Sequence, residues 1–329
     1  MRYWKFTLEG APNGGWSSHV GQQMDPGAPL VEIDITTAPA DTVGTAGSIT
    51  VWGQPVSLLK QSQGFYNKKY SLSVGMAQGL PLATQQSPQA GQILGGTDVI
   101  TGVFSSFEGL TQYLGFGLGG YPANRGTPAP FAASNQFPVR NIVLNWQKGA
   151  PLSQALMQCF QTAYPELQAS VNVSPNLVAN QNNLHFAGAI AELNSWLREF
   201  TIGEYSNSMP QQYQGVSIVM GNGKIAAHDG TKTSGAKQIQ FTDLIGQPTF
   251  IERNEISFKT VMRGDLSVGD AITLPQGQIL NVSGNLGLGA ELAVSGSWTI
   301  NQLRWIGNSR NPNGDAWCTV IQANQAPVS

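Results

Sequence analysis

The chain has few charged residues. Asp, Glu, Lys and Arg make up 11% of its 329 residues, against roughly a quarter in an average soluble protein. The formal net charge of −2 excludes the broad positive field that attracts nucleic acid or an anionic membrane surface. Because charges are depleted from the cores of protein interfaces, a surface this poor in charge is easy to bury against another subunit.

Cysteine is also scarce. Cys159 and Cys318 are the only two. Two cysteines in a chain of this length do not make a disulfide framework, and neither lies at a spacing typical of a metal site. We therefore expect two free thiols in the core and no metal site.

Long apolar runs are missing. No run approaches the roughly 20 residues that a membrane-spanning helix needs. The first ten residues, MRYWKFTLEG, lack the apolar segment of a signal peptide. We expect a protein that stays in the cytoplasm of the producing cell until assembly or lysis, with no membrane segment.

Catalytic motifs are missing as well. The histidines, His19, His185 and His228, are isolated in the sequence. His228 precedes Asp229, but neighbours in a turn rarely face one site, and no G-x-S-x-G motif accompanies them. The glycine-rich stretches at 115–120 and 221–223 lead into no helix with Lys-Ser/Thr, so they do not predict a phosphate site. We predict no catalytic, cofactor-binding or metal-binding residue, and no enzyme.

Three other patterns have plain structural interpretations. Arg263-Gly264-Asp265 matches an adhesion tripeptide, but we interpret it as a charged barrel corner. Glu192 and Glu199 are expected on the solvated face of a helix, since glycosidase chemistry needs two acids in a cleft. Four tryptophans could form a carbohydrate platform but are more often core or interface residues in a β-barrel: Trp4, Trp16, Trp52 and Trp146.

Period-two alternation dominates the first 148 residues and is typical of half-buried strands. Seven short runs separated by Gly/Pro loops predict a barrel or sandwich; they lie at 4–8, 31–35, 49–51, 70–74, 99–103, 110–118 and 142–146. The segment 119–138 contains four prolines. A loop of this length tends to be functional or disordered.

The period becomes helical after Gly149. Pro151 suits the first turn of a helix, and apolar residues then recur at helical spacing: Leu152, Leu156, Cys159, Phe160 and Ala163. A strand is predicted at 167–173. The strongest amphipathic helix is predicted at 186–200, with Ile190, Leu193 and Leu197 inside and Glu192 and Arg198 outside. Strands on either side of Gly221-Asn222-Gly223 predict a hairpin. We assign residues 149–252 to a small α+β module.

The last part of the chain is β again. Ile256, Phe258 and Thr260 alternate with polar residues, a turn follows at 262–269, and a short strand at 271–274 ends before Pro275. Further strands are predicted at 279–282, 292–294, 298–305 and 317–322. The region 253–329 is short for a whole barrel, so we expect strands of the middle module, such as those at 216–227, to complete it.

Several segments, taken in order, resemble the baseplate hub proteins of phage tails. The corner carries the likeness in Arg263, Gly264, Asp265, Gly269 and Asp270. The segment 49–83, ending in GMAQGLPLA, resembles the first barrel of that family. KGAPLSQALMQCFQTAYP, GVSIVMGNGKIAAHDGT and LIGQP resemble its middle segment. The end resembles its closing hairpin, with Trp305-Ile306-Gly307 where the family usually has His before Gly.

This resemblance implies a mainly β fold in which two tube-like β-barrels, at 1–148 and 253–329, flank the α+β module at 149–252. It implies a homotrimer whose six barrels match a six-fold tail tube on one side and a three-fold central spike on the other. The barrels would be related by a rotation of about 60° around a channel of mixed polar lining. The implied partners are the chain itself, the tube protein, the spike protein and other baseplate proteins, in the virion tail. Nucleic-acid sequence recognition is not implied.

Two alternatives remain at this point. One is a carbohydrate-binding β-sandwich of a tail adhesin, which a glycan array would test. The other is a β-rich hydrolase, which would need a cleft with perturbed acids.

Overall fold

The computed structural model describes residues 1–21, 23–42, 44–77, 90–108, 111–122, 141–210, 213–232, 235–252, 254–275 and 296–326. The first strands are β1 (Arg2–Leu8), β2 (Gly15–Ser17), β3 (His19–Val20), β4 (Gln23–Met24), β5 (Val31–Thr37), β6 (Thr45–Trp52), β7 (Tyr70–Met76), β8 (Gly91–Leu94), β9 (Asp98–Glu108) and β10 (Thr111–Pro122). The later strands are β11 (Ile142–Trp146), β12 (Gln168–Asn172), β13 (Asn183–Ala187), β14 (Ser217–Gly221), β15 (Lys224–His228), β16 (Lys237–Gln238), β17 (Thr249–Glu252), β18 (Glu255–Val261), β19 (Ala271–Leu274), β20 (Gly296–Asn308) and β21 (Trp317–Gln325). The helices are α1 (Val56–Lys60), α2 (Leu152–Ala163) and α3 (Ile190–Tyr205). The chain is mainly β with a smaller α+β part, as predicted.

Eight strands form one unbroken antiparallel path in the order β17-β18-β21-β20-β5-β6-β10-β9. The middle of this path is β20. Its first residues pair with β19, and its last residues, from Leu303 to Asn308, pair with β5. The N-terminal and C-terminal β regions therefore share one continuous sheet, a long-range pairing that alternation along the chain does not predict.

The alternation itself is confirmed. In β5, Val31, Ile33 and Ile35 are buried, and in β18 so are Ile256, Phe258 and Thr260. A second sheet, β2-β1-β7-β8, contributes its apolar side chains to the same hydrophobic core. The two β regions are joined by this core as well as by the sheet.

A second core belongs to the middle of the chain. It gathers apolar side chains from α2, α3 and two small sheets, β11-β13 and β12-β15-β14. Two expectations were wrong here. The strand at 142–146 does not close the first set of strands, because it pairs with β13 and buries Trp146 in the second core. The hairpin at 216–227 does not complete the second β region, because β15 pairs with β12; β16 and β17 join the long sheet instead.

The amphipathic helix is confirmed with a shifted start. It begins at Ile190, and Phe186 lies in β13 with its side chain 67% exposed. The Glu192 carboxylate accepts the backbone N–H groups of Gly188 and Ala189 at 2.8 and 3.3 Å, which satisfies donors just ahead of the helix. Ile190, Leu193 and Leu197 are buried as predicted. Arg198 was expected outside, but its side chain is 27% exposed and paired with Asp41.

The hairpin between β14 and β15 has the predicted turn. Asn222 and Gly223 have φ of 55° and 68°, the left-handed pair that a two-residue type I′ turn requires. Residues 123–138 of the predicted long loop, the strands predicted at 279–282 and 292–294, and the GLPLA segment at 79–83 lie outside the described residues.

Candidate interaction surface

The join between β5 and β20 is held from both faces of the sheet. On the face away from the core, the Arg304 guanidinium donates to both carboxylate oxygens of Asp34, at 2.8 and 2.7 Å. On the core side, Trp317 Nε1–H donates to the Gly75 carbonyl at 3.0 Å. Bidentate Arg–carboxylate pairs add geometric specificity to charge attraction, so the two β regions are held in one register.

The two ends of the eight-stranded path are open. Asn67 and Lys68 bond the backbone of Ile100 at the start of β9. From Thr101 onward the outer edge of β9 has no strand partner among the described residues, and neither has the outer edge of β17. Seven antiparallel pairings separate these two strands, so β9 and β17 run in opposite directions.

These edges have only part of the protection usual for exposed strands: register shifts interrupt the pairing of both strands, and Glu252 ends β17. Monomeric proteins guard open edges with charges, prolines or bulges. Residues 99–107 of β9 contain no charge and no proline, and Phe104 and Phe107 are 47% and 58% exposed. On β17, Ile251 is 50% exposed. Edges with an uncharged stretch and with exposed aromatic or aliphatic side chains are typical of strands that pair with another chain.

The sheet face opposite the core is mainly polar, with the rings of Phe104 and Tyr113 on it at the β9–β10 end. Glu32, on β5, accepts hydrogen bonds from Trp52 Nε1 at 3.0 Å and from Asn308 Nδ2 at 2.8 Å. Other partly or fully exposed residues on this face are Asp34, Ser48, Thr50, Ser257, Lys259, Gln302, Arg304, Gln322 and Asn324. Both signs of charge are present beside neutral polar groups.

The Arg263-Gly264-Asp265 corner is buried rather than displayed. Arg263 is 5% exposed and bonds both oxygens of Asp265, at 2.7 and 2.8 Å, and Asp243 at 3.2 Å. Burial lowers the pKa of Arg263, but the two carboxylates outweigh it and raise the pKa. A Cβ on Gly264 would lie 2.1 Å from the Val74 carbonyl oxygen. The tripeptide is a packed corner, as the sequence interpretation had it.

The histidines lie in three separate places. His19 is on β3 beside Ser18, and the His185 ring on β13 stacks on Trp196 at 4.1 Å. His228 ends β15, and the adjacent Asp229 accepts the backbone N–H of Ser174 at 2.7 Å. The described residues contain no cluster of three or more metal-ligating side chains. Ser18 Oγ and His19 Nδ1 lie 2.7 Å apart, but Ser18 is buried and its hydroxyl also bonds the backbone N–H and carbonyl of Trp4, which is a structural role.

The tryptophans do not form an exposed platform. Trp4 and Trp146 are 1% and 0% exposed, in different cores. Trp16 and Trp52 are half-buried.

A cavity of about 150 Å³ lies between β11 and α2, and the described residues that line it are uncharged. Burial raises the pKa of the Cys159 thiol in its lining to about 11.

The buried acids Asp98 and Asp243, the latter a partner of Arg263, were not predicted from the sequence. Asp98 has no exposed surface, and burial raises its pKa to about 7. Its Oδ2 accepts the backbone N–H groups of Gly95 at 3.0 Å and Asn222 at 3.1 Å. It thus binds the first β region to the β14–β15 hairpin. The turn Gly95-Gly96-Thr97-Asp98 was the only local sequence signal for Asp98.

No helix in the described part of the chain is long and apolar enough to cross a membrane.

One solved structure has a similar fold. The tail protein from Neisseria meningitidis MC58 superposes with a TM-score of 0.50 over 98% of this chain and 96% of its own, at 8% identity. This chain has the fold of that tail protein. At such low identity the likeness concerns the fold alone.

Two other solved structures superpose with slightly lower scores. The 43 kDa tail protein of prophage MuSo2 from Shewanella oneidensis has a TM-score of 0.49 and 10% identity, with 99% of each chain covered. The E. coli c3393 protein, a component of the type VI secretion system, has the same score and identity over 99% of this chain and 77% of its own. No family model and no curated protein matches the sequence.

Proposed function

We propose that this chain is a structural, non-enzymatic protein of a phage or phage-like tail, and that three copies form a baseplate hub. The observation that carries the proposal is the eight-stranded antiparallel path with an open strand of opposite direction at each end. The fold shared with a tail protein supports the tail as its place.

Strand direction makes closure of a ring possible. Rotation about an axis parallel to the strands leaves their direction unchanged, so β9 of one copy and β17 of the next copy would meet antiparallel. An odd number of strands per chain would force one parallel pairing at every subunit boundary. With eight strands, the pairing pattern inside the chain continues between chains.

The path also divides evenly. The first β region contributes β5, β6, β10 and β9, and the second contributes β20, β21, β18 and β17. Three chains would therefore present six four-stranded units, each rotated by about 60° from the next. In such a ring the backbone shape would repeat six times, which matches a six-fold tube. The side chains would repeat three times, which matches a three-fold spike. We assign 1–148 and 253–329 to these units, with β17 added to the second and β11 given to the middle module.

The polar face of the sheet would line the ring. Its mixture of Asp34, Arg304, Lys259 and neutral amides suits a water-filled channel rather than a packed core. The partners in this proposal are a second and third copy of the chain, a tube protein, a spike protein and other baseplate proteins. The site of action is the virion tail, after assembly in the host cytoplasm.

Cysteine cross-linking tests the proposed subunit contact. Ile251→Cys on β17 is combined, one at a time, with Ser105→Cys or Ser106→Cys on β9, and the protein is oxidised. Paired strands place opposite Cβ atoms about 5 Å apart, within reach of a disulfide, and the native thiols are buried. We expect covalent trimers from one of the pairs. Ile251→Cys with Val143→Cys, an exposed position on β11, is the control and should give none. Trimers in solution without any β9–β17 cross-link would refute the contact.

A further inference from the structure

The α+β module meets the second β region along a polar seam. On the module side lie 214–217 and 228–230, and on the other side lie Gly269, 299–301, Asn324 and Gln325. A cavity of about 30 Å³ lies in this seam. Two hydrogen bonds cross it: Thr299 Oγ1 to the Gly230 carbonyl at 3.4 Å, and Asn324 Nδ2 to Gln214 Oε1 at 3.2 Å.

His228 lies at the centre of the seam. It is 9% exposed, and its Nε2 has no hydrogen-bond partner among the described residues. The backbone of Gly269 lies against the ring, where an added Cβ would be 2.7 Å from Cδ2. Burial, and then the positive charge of Arg198, lower the pKa of His228 to about 4. The ring is therefore neutral in the closed seam at pH 7.

No carboxylate in the described part of the chain bonds Nε2 of the ring, and those nearest to it are engaged by other groups. On α3, Arg198 is paired with Asp41 at 2.8 Å. Asp229, next in the chain, already accepts bonds from Ser174 and Thr231. Asp270, beyond Gly269, is bound by Lys237 at 2.7 Å.

The remaining groups near the ring are neutral. Burial raises the pKa of Tyr213, which keeps that phenol uncharged. The residues of β20 and β21 that face the seam, Thr299, Asn301, Asn324 and Gln325, carry no charge. A proton on His228 Nε2 would be buried without a hydrogen-bond partner, which is costly.

The module is bound more firmly to the first β region. There the contacts include the Arg198–Asp41 ion pair, the bond from Ala40 N–H to the Ile218 carbonyl at 2.8 Å, and the bond from Asn222 N–H to Asp98. Gln92 Nε2 also donates to Asn222 Oδ1 at 2.6 Å, and Asn222 Nδ2 donates to the Gln92 backbone carbonyl at 2.9 Å. Weakening the seam would free the module from one β region only.

We propose that His228 is an acid-sensitive latch: its protonation opens the seam between the α+β module and the second β region, while the module stays attached to the first. The free energy that opens the seam comes from hydration of the imidazolium, which the closed seam prevents. This device is separate from the proposed hub function and is tested on the isolated protein.

Thiol labelling at the two boundaries of the module tests the latch. Thr299→Cys places a thiol in the seam, and Thr45→Cys places one at the boundary with the first β region, where Thr45 bonds the Met220 carbonyl. Both native side chains are buried. A pyridyl disulfide, which reacts with thiols in mild acid, is applied at pH 7 and pH 4, with circular dichroism to confirm folding. Each variant is also made with His228→Gln, and His19→Gln is the matched surface control.

We expect labelling of Thr299→Cys, relative to an unfolded reference, to rise on the order of 100-fold between pH 7 and pH 4. The rise should vanish with His228→Gln and persist with His19→Gln, and Thr45→Cys should remain protected. A flat rate at Thr299→Cys, an equal rise in the presence of His228→Gln, or a parallel rise at Thr45→Cys would each overturn the latch.

Discussion

Two arginines show how one residue type acts differently by position. Arg263 is buried among Asp243 and Asp265, whereas Arg304 and Asp34 are each about half exposed across the β5–β20 join. Burying charged groups costs solvation free energy, which is regained only through the bonds that these groups make with each other. An exposed pair is screened by water and contributes little.

Replacing each arginine by leucine should separate these cases. Arg263→Leu leaves Asp243 buried without its cation and should lower the free energy of unfolding by about 3–5 kcal/mol. Arg304→Leu, the control, should cost about 1 kcal/mol or less. Urea denaturation at pH 7 measures both. Equal costs would mean that the Arg263 corner is better solvated than its geometry indicates.

Asp98 predicts how stability depends on pH. Its folded pKa of about 7 lies above the unfolded value of 3.8, so the folded state holds the proton more tightly. Its contribution to stability is full below pH 4 and is lost as pH rises to 7, by roughly 4 kcal/mol in all. Asp98→Asn resembles the protonated acid and should raise stability at pH 8 while leaving it nearly unchanged at pH 4.

Denaturation curves of both proteins between pH 4 and pH 8 check this expectation. Asp34→Asn, at an exposed carboxylate, is the control for a general change of charge. If Asp98→Asn destabilised the protein equally at both pH values, the ionised carboxylate would be the form that the Gly95 and Asn222 amides favour.

At the scale of elements, the sequence predicted what is local. The period-two alternation of apolar and polar residues predicted β5, β7 and β18 and their buried faces. The Asn222-Gly223 pair predicted the hairpin turn. The sequence placed the start of α3 wrongly because Phe186 continues the apolar spacing of the helix, although it belongs to a strand. It could not find the pairing of β11 with β13 or of β5 with β20, because such partners are set by tertiary contacts between distant segments.

The buried stripe of α3 gives a direct test of its packing. Leu193 is fully buried in the second core, whereas Ile202 on the same helix is 38% exposed. Leu193→Ala should cost about 2–5 kcal/mol through lost transfer energy and the cavity left behind. Ile202→Ala should cost much less. Thermal or urea unfolding measures the difference, and a surface-like effect of Leu193→Ala would show that the helix presents another face.

At the scale of the whole molecule, the open edge of β9 is the decisive surface. Phe107 is 58% exposed on that strand, and Phe186 is 67% exposed on β13, away from the long sheet. A carboxylate at a strand edge opposes pairing with another chain. Phe107→Asp should therefore dissociate the oligomer, whereas Phe186→Asp, the matched control, should leave it assembled. Sedimentation velocity distinguishes the two. If Phe107→Asp assembled like the native chain, β9 would not be a subunit contact.

In the proposed assembly, three chains close into one ring through the ends of their eight-stranded sheets. The mass of the native protein in solution tests it most directly, by native mass spectrometry or light scattering over a range of concentrations. We expect a particle of three times the 35.0 kDa chain mass. A monomer at every concentration, or a dimer, would contradict it, because neither can present six four-stranded units around a channel.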